Sequence, residues 1–143
     1  MLNNDFFNSF IGVYRPYIKL TQPILDKYDI HTGQWLVLRD IANFQPTTLV
    51  KISHRRSIEK PTTRKIVKVL LENNWIVATQ GNDKREKLLS LTPVGKALFD
   101  AINEEVTVVQ ENIIKKVGLT EAKLSEIIEI MSQIHETLIK EDK

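Results

Sequence analysis

The sequence predicts a mainly α chain with one small β element, an α+β arrangement in which a central unit is flanked by long helices. Three observations carry this expectation. Between Thr47 and Thr92 two helical segments, residues 48–53 and 60–70, stand only a short basic connector apart, His54-Arg55-Arg56-Ser57-Ile58, and two helices joined that closely make a helix-turn-helix. A β-type run at 75–79 and an apolar run at 88–91 then bracket a charged tip at 81–87, which is a hairpin. Beyond Thr92 two long stretches repeat apolar residues every three or four positions, as amphipathic helices do. The expected fold is a winged helix-turn-helix with additional helices at both ends.

Composition narrows the field. At 143 residues one domain is expected, and hydrophobic content of 42% is enough for a core that needs no staples. Cysteine is absent, which excludes disulfides, thiolate zinc sites and thiol redox sensing. No apolar run approaches the roughly 20 residues of a membrane span, and the start Met1-Leu2-Asn3-Asn4-Asp5 lacks a basic signal-peptide segment, so a cytoplasmic location is expected. The net charge of +2 is unevenly divided: residues 47–92 hold ten basic side chains against four acidic ones. A polyanion is drawn to the middle of the chain and repelled by its acidic flanks.

Taken in order, residues 5–28 place Phe6, Phe7, Phe10, Val13, Tyr14, Tyr17, Ile18, Ile24 and Leu25 at helical spacing, interrupted by Pro16 and Pro23. Proline inside a helix costs about 3 kcal/mol, so a kink or break is expected at one or both. Tyr14 and Tyr17 are read as core or dimer packing ahead of ligand contact. Thr32 or His31 would cap a helix whose buried face carries Trp35, Leu38 and Ile41 or Ala42. For His31 a surface or cap role outweighs a ligand or proton-sensitive one. Gln45-Pro46 then forces a turn.

In the second helix of the motif Thr63, Ile66, Val67 and Leu70 share the core face, which leaves Thr62, Arg64, Lys65 and Lys68 outside. Glu59 can serve as N-cap and Pro61 fits the first turn. Hydroxyls and a guanidinium can reach base edges in a major groove while lysines neutralise phosphates. Arg55 and Arg56 in the connector, with Lys84, Arg85 and Lys87 at the hairpin tip, add phosphate contacts, and Asp83 is placed to hold the Arg85 guanidinium by charge-assisted hydrogen bonds. A merely solvated face is the plain alternative for a lone basic helix, and a basic hairpin at this interval argues against it. Asn73-Asn74 would end the helix with a left-handed residue.

Thr92-Pro93 is a strong helix start, followed by the stripe Val94, Leu98, Ile102, Val106, Val109, Ile113 and Val117. Gly118 ends this helix, Thr120 caps the next, and Leu124, Ile127, Met131, Ile134 and Leu138 form a second stripe, broadened by Ile128 and Ile130. These helices are expected to lie apart from the winged unit's own core and to need another surface, of which a second copy of the chain is the simplest. The map is a single domain over 1–143, with the winged helix-turn-helix at 32–92 and dimerisation helices at 1–28 and 93–143.

With these residues in view the chain resembles the MarR family of bacterial transcriptional regulators over essentially its whole length. Asp83-Lys84-Arg85, five residues, then Leu91-Thr92 with Gly95 after it follows the family's D-x-R … L-T-x-x-G run. Gln34-Trp35-Leu36-Val37-Leu38 resembles its Q-W-x-x-L start of the second helix, and residues 49–76 follow its L-x-x-L-A … T-V-T-R-L-V-x-x-L-x-x-x-G-L-V pattern more loosely. The chain departs from the family in carrying Asn74 for a glycine, Ala78 for an arginine in the wing, and two prolines in the first helix.

The resemblance implies a two-fold symmetric homodimer held by the first, fifth and sixth helices. It implies a sequence-specific regulator, a repressor, that binds double-stranded DNA at an inverted-repeat operator with its recognition helix in a major groove and its wing in the adjoining minor groove. A small aromatic or anionic effector would release it from a pocket that maps here to Tyr14, Tyr17, His31 and Trp35. No metal or cofactor is implied. An enzyme fails on inventory: His31, His54 and His135 lack metal spacing, and no phosphate loop or nucleophile motif occurs. A winged module used for protein contacts without DNA is the better rival, but it calls for an apolar or acidic exposed helix face.

Overall fold

A computed structural model describes residues 1–141 as six helices and one hairpin in the order α1 (Leu2–Lys27), α2 (Thr32–Phe44), α3 (Leu49–Arg56), α4 (Lys60–Glu72), β1 (Ile76–Gln80), β2 (Lys87–Leu91), α5 (Pro93–Val117) and α6 (Glu121–Glu141). The final two residues of the expected 93–143 segment lie outside the described residues. Among the described residues no helix is long and apolar enough to cross a membrane.

Of the expected kink or break, helix α1 shows no break. It runs through both Pro16 and Pro23 without interruption. Both prolines lie on exposed turns, so the carbonyls that lose a donor can be satisfied by water. Around Pro23 side chains add local bonds: Thr21 Oγ1 donates to the Ile18 carbonyl at 3.0 Å and Gln22 Nε2 to Asp26 Oδ1 at 2.9 Å.

The remaining boundaries follow local chemistry. His31 is the N-cap of α2, and Gln34 Oε1 accepts from its backbone N–H at 3.1 Å. Thr48 caps α3 by accepting from the Lys51 N–H at 3.2 Å, and α3 extends to Arg56, three residues beyond the expected end, before Ser57 turns left-handed at φ 53°. Glu59 occupies the N-cap of α4 with no side-chain cap bond, and Asn74 takes φ 61° after its end. Thr92 and Gly118 bound α5 as expected, and Thr120 Oγ1 accepts from the Lys123 N–H at 3.2 Å.

One continuous core takes in α5, which was expected to lie apart from the winged unit. Trp35, Val37, Leu38 and Ile41 from α2, Ile52 from α3, Val67 and Leu70 from α4, and Ile76 and Leu89 from the hairpin cluster with Leu25 of α1 and with Ile102 and Val106 of α5. Helices α1 and α5 are thus rooted in the winged unit, whereas α6 adds no residue to this core. These helices leave apolar side chains uncovered, among them Phe7, Ile11, Val13, Val117, Ile128 and Leu138.

The hairpin pairs antiparallel from Ile76 opposite Leu91 to Gln80 opposite Lys87. Strand β1 is shifted by one residue from the expected run, because Trp75 closes the turn out of α4, its N–H bonding to the Leu70 carbonyl at 3.0 Å, and β2 begins one residue early at Lys87. Thr47 joins β2 from the other side through a bridge to Leu89.

Candidate nucleic-acid interface

Helix α4 is held against α3 by its inner face. Thr63 and Leu70 are fully buried and Val67 nearly so, and Ser53 Oγ donates to Thr63 Oγ1 at 2.8 Å in the interior. A buried hydroxyl pair is directional where apolar packing is not, so it sets how α4 lies on α3. Sequence reasoning placed Thr63 inside but missed its partner. The signal was a serine ten positions earlier on the inner face of the preceding helix.

The outer face of α4 then follows from helical periodicity: Pro61, Thr62, Arg64, Lys65 and Lys68 are all exposed. Lys68 stands 4.0 Å from Glu72, an exposed pair that contributes little to stability. Among the described residues Arg64 and Lys65 have no ion-pair partner. A row of cations and a hydroxyl on a rigid helix is thereby left open to solvent.

The hairpin tip is ordered by its own backbone. Gly81 N–H donates to the Glu86 carbonyl at 3.0 Å and Glu86 N–H to the Asp83 carbonyl at 2.9 Å, while Gln80 Nε2 reaches the Asp83 carbonyl at 2.9 Å. Lys84, Arg85 and Lys87 point into solvent. The expected Asp83 to Arg85 guanidinium contact is corrected: Asp83 Oδ1 accepts from the backbone N–H of Arg85 at 3.0 Å. A short side chain two residues upstream is the natural partner of that N–H, and the arginine side chain is left free of it.

The root of the hairpin explains the run Leu91-Thr92 … Gly95. Thr92 Oγ1 donates to the Asn74 carbonyl at 2.6 Å and accepts from the Gly95 N–H at 2.9 Å, and Thr92 N–H donates to the Trp75 carbonyl at 3.0 Å. A Cβ on Gly95 would stand 1.8 Å from the Trp75 carbonyl oxygen. Only glycine lets α5 start this close to the exit of α4.

The two connector arginines lie elsewhere than expected. Arg55 turns inward with its side chain only 20% exposed: Nε and Nη2 grip Asp40 of α2 at 3.1 and 2.7 Å, Nη2 donates to Thr47 Oγ1 at 2.7 Å, and the guanidinium lies 4.2 Å from the centre of the Phe44 ring. A nearly buried carboxylate such as Asp40 needs a cation, and Arg55 supplies it. Arg56 is half-buried with its Nε unpartnered. Burial, and then the neighbouring Arg39, lower its pKa, while Asp40 and Tyr14 oppose them. It lines a cleft of about 180 Å³ with Leu36, Arg39, Asp40 and His135.

Of the four expected effector residues, Tyr17 and Trp35 meet at one cavity of about 30 Å³, with Arg39 and Gln110 beside them, a space the size of one water. Gln110 Nε2 donates to the Tyr17 hydroxyl at 2.7 Å, and Trp35 stacks on Phe99. Tyr14, 54% exposed on α1, and His31, exposed at the start of α2, do not line it. Arg39 was not anticipated, since a lone arginine in an amphipathic helix carries no spacing signal.

A helix-turn-helix that keeps a cationic helix face open and is followed by a cationic hairpin defines the winged-helix class. The MarR family model matches residues 30–87. An HTH-type transcriptional regulator of Staphylococcus aureus strain MRSA252 is 52% identical over 142 residues, 99% of this chain and 97% of that protein. The structure of native Staphylococcus aureus MarR superposes with a TM-score of 0.89 at 52% identity, covering 99% of both chains. Staphylococcus aureus MarR in complex with salicylate and kanamycin gives 0.85 at the same identity, covering 99% of this chain and 95% of that one. The chain belongs to the MarR family of helix-turn-helix transcriptional regulators.

Proposed function

We propose that the protein acts as a homodimer that binds an inverted-repeat operator in double-stranded DNA and represses transcription from it in the cytoplasm. The observation that carries this reading is the pair of open cationic surfaces, Arg64, Lys65 and Lys68 on α4 and Lys84, Arg85 and Lys87 on the hairpin. Thr62 and Arg64 would face base edges from the major groove, the lysines would face phosphates, and Arg85 would enter the minor groove, where negative potential is concentrated. A module for protein contacts alone would not be expected to keep this helix face cationic. The uncovered apolar side chains of α1, α5 and α6 support the second copy.

The effector part of the reading rests on charge. Arg39 lines both the Tyr17–Trp35 cavity and the adjoining cleft with Arg56, and the mutual repulsion of two half-buried guanidiniums would be relieved by an anion between them. A small aromatic carboxylate combines that charge with a ring that could lie along Tyr17 and Trp35 only once their cavity of about 30 Å³, now the size of one water, widens. Salicylate, seen with the Staphylococcus aureus protein, is the first compound to titrate, and absence of any thermal shift with it or with related aromatic acids would remove this part of the proposal.

Salt dependence tests the DNA-binding part. Binding of a genomic fragment retained by the protein, followed by fluorescence anisotropy, is expected to weaken steeply as salt rises from 50 to about 200 mM, because phosphate contacts release counterions. Lys65→Ala with Lys68→Ala should lower the salt slope by about one unit for each lysine–phosphate pair removed from a half-site. An affinity indifferent to salt would contradict the reading.

A further inference from the structure

We infer that Arg55 is a positioning residue for the wing, acting on DNA affinity through the hairpin while its own guanidinium stays off the phosphate backbone. The inference rests on the DNA-binding reading above. The hairpin has only two strands, and the outer edge of β2 is bonded to a single neighbouring segment. Thr47 N–H donates to the Leu89 carbonyl at 3.1 Å, the Leu89 N–H returns to the Thr47 carbonyl at 2.7 Å, and Gln45 Oε1 accepts from the Leu91 N–H at 2.9 Å. That segment is in turn fixed from behind by Arg55. Its guanidinium joins the fully buried Thr47 hydroxyl to Asp40, and Phe44 covers its face.

The chain of contacts is therefore Asp40 of α2, Arg55 of α3, Thr47, and Leu89 of β2, every link a hydrogen bond of 3.1 Å or less. Arg55 is also gripped on its backbone, where His135 Nε2–H of α6 donates to its carbonyl at 3.1 Å. A planar guanidinium satisfies two acceptors in fixed directions as an ammonium cannot. Arg55→Lys thus keeps the charge and removes the geometry.

Two measurements test this. In the free protein, hydrogen exchange should quicken in the amides of β1 and β2 for Arg55→Lys and for the milder Thr47→Val, with the α4 amides of Val67 and Leu70 unchanged. With DNA, Arg55→Lys should weaken binding about tenfold, within the range of neighbours that share one network, and much less in a chain that already carries Arg85→Ala, because a misplaced tip and a missing tip forfeit the same interaction. Unchanged exchange in the hairpin, or Arg55→Lys and Arg85→Ala effects that simply multiply, would overturn the inference. If the parent protein bound no DNA, the operator reading would fall and the exchange measurement would still decide whether Arg55 holds the wing.

Discussion

Asp83 directs its carboxylate at the backbone of the hairpin tip, through the Arg85 N–H at 3.0 Å. What this residue contributes is therefore an acceptor, and its charge works against it beside phosphates. The two can be separated. Asp83→Asn keeps an oxygen acceptor and removes the charge, so it should bind DNA at least as tightly as the parent. Asp83→Ala loses the turn and should bind more weakly, by about 0.5–1.5 kcal/mol, the net worth of one hydrogen bond. If both variants bind more tightly than the parent in an anisotropy titration, the ordered tip plays no part. Arg85 itself was legible from the sequence as an exposed tip cation, whereas its partner was misassigned, since adjacency in sequence does not say whether a carboxylate meets a side chain or an amide.

Among the elements, α1 is fastened to α5 by a cluster at its end. Glu105 accepts from the Tyr28 hydroxyl and from Lys27 Nζ at 3.0 and 3.1 Å. These bonds, the Tyr28 one first, hold the Glu105 carboxyl below its ordinary pKa. A depressed folded-state pKa stabilises fully above the unfolded value and is lost as pH falls through the folded one. The α1–α5 fastening should therefore weaken only below about pH 4.3, the unperturbed glutamate value, and modestly, because the cluster is exposed and screened. Acid unfolding of Glu105→Gln should show a shallower limb there than the parent, and identical limbs would mean that the cluster fastens nothing.

Helix existence was readable throughout from apolar spacing and caps, with Thr48, Thr92, Gly118 and Thr120 behaving as their residue types suggest. The reading failed where an outcome depended on the third dimension. Pro16 and Pro23 lie on exposed turns of α1, where solvent can meet the freed carbonyls, and the helix does not break; Asp40, fifteen positions away, claims Arg55. A count of charges cannot say which of ten cations has a partner inside.

For the molecule as a whole, the proposed second copy would cover the exposed side chains on α1, α5 and α6, Phe7 and Ile11 with Val117, Ile128 and Leu138 among them. Light scattering should return a particle of twice the 16.5 kDa chain mass at working concentrations, and a 16.5 kDa particle would contradict the dimer. Two copies related by a two-fold axis would present their α4 helices as a symmetric pair, and that pair would call for a two-fold symmetric target.

Whether this pair reads DNA is decided by exposing sheared genomic DNA to the purified protein at near-physiological salt and sequencing what it retains. The expected result is a small set of fragments sharing an inverted repeat with half-site centres about 10 bp apart, one helical turn, and disappearance of that enrichment for Arg64→Ala. Retention of fragments with no common sequence, or of a motif lacking two-fold symmetry, would contradict it.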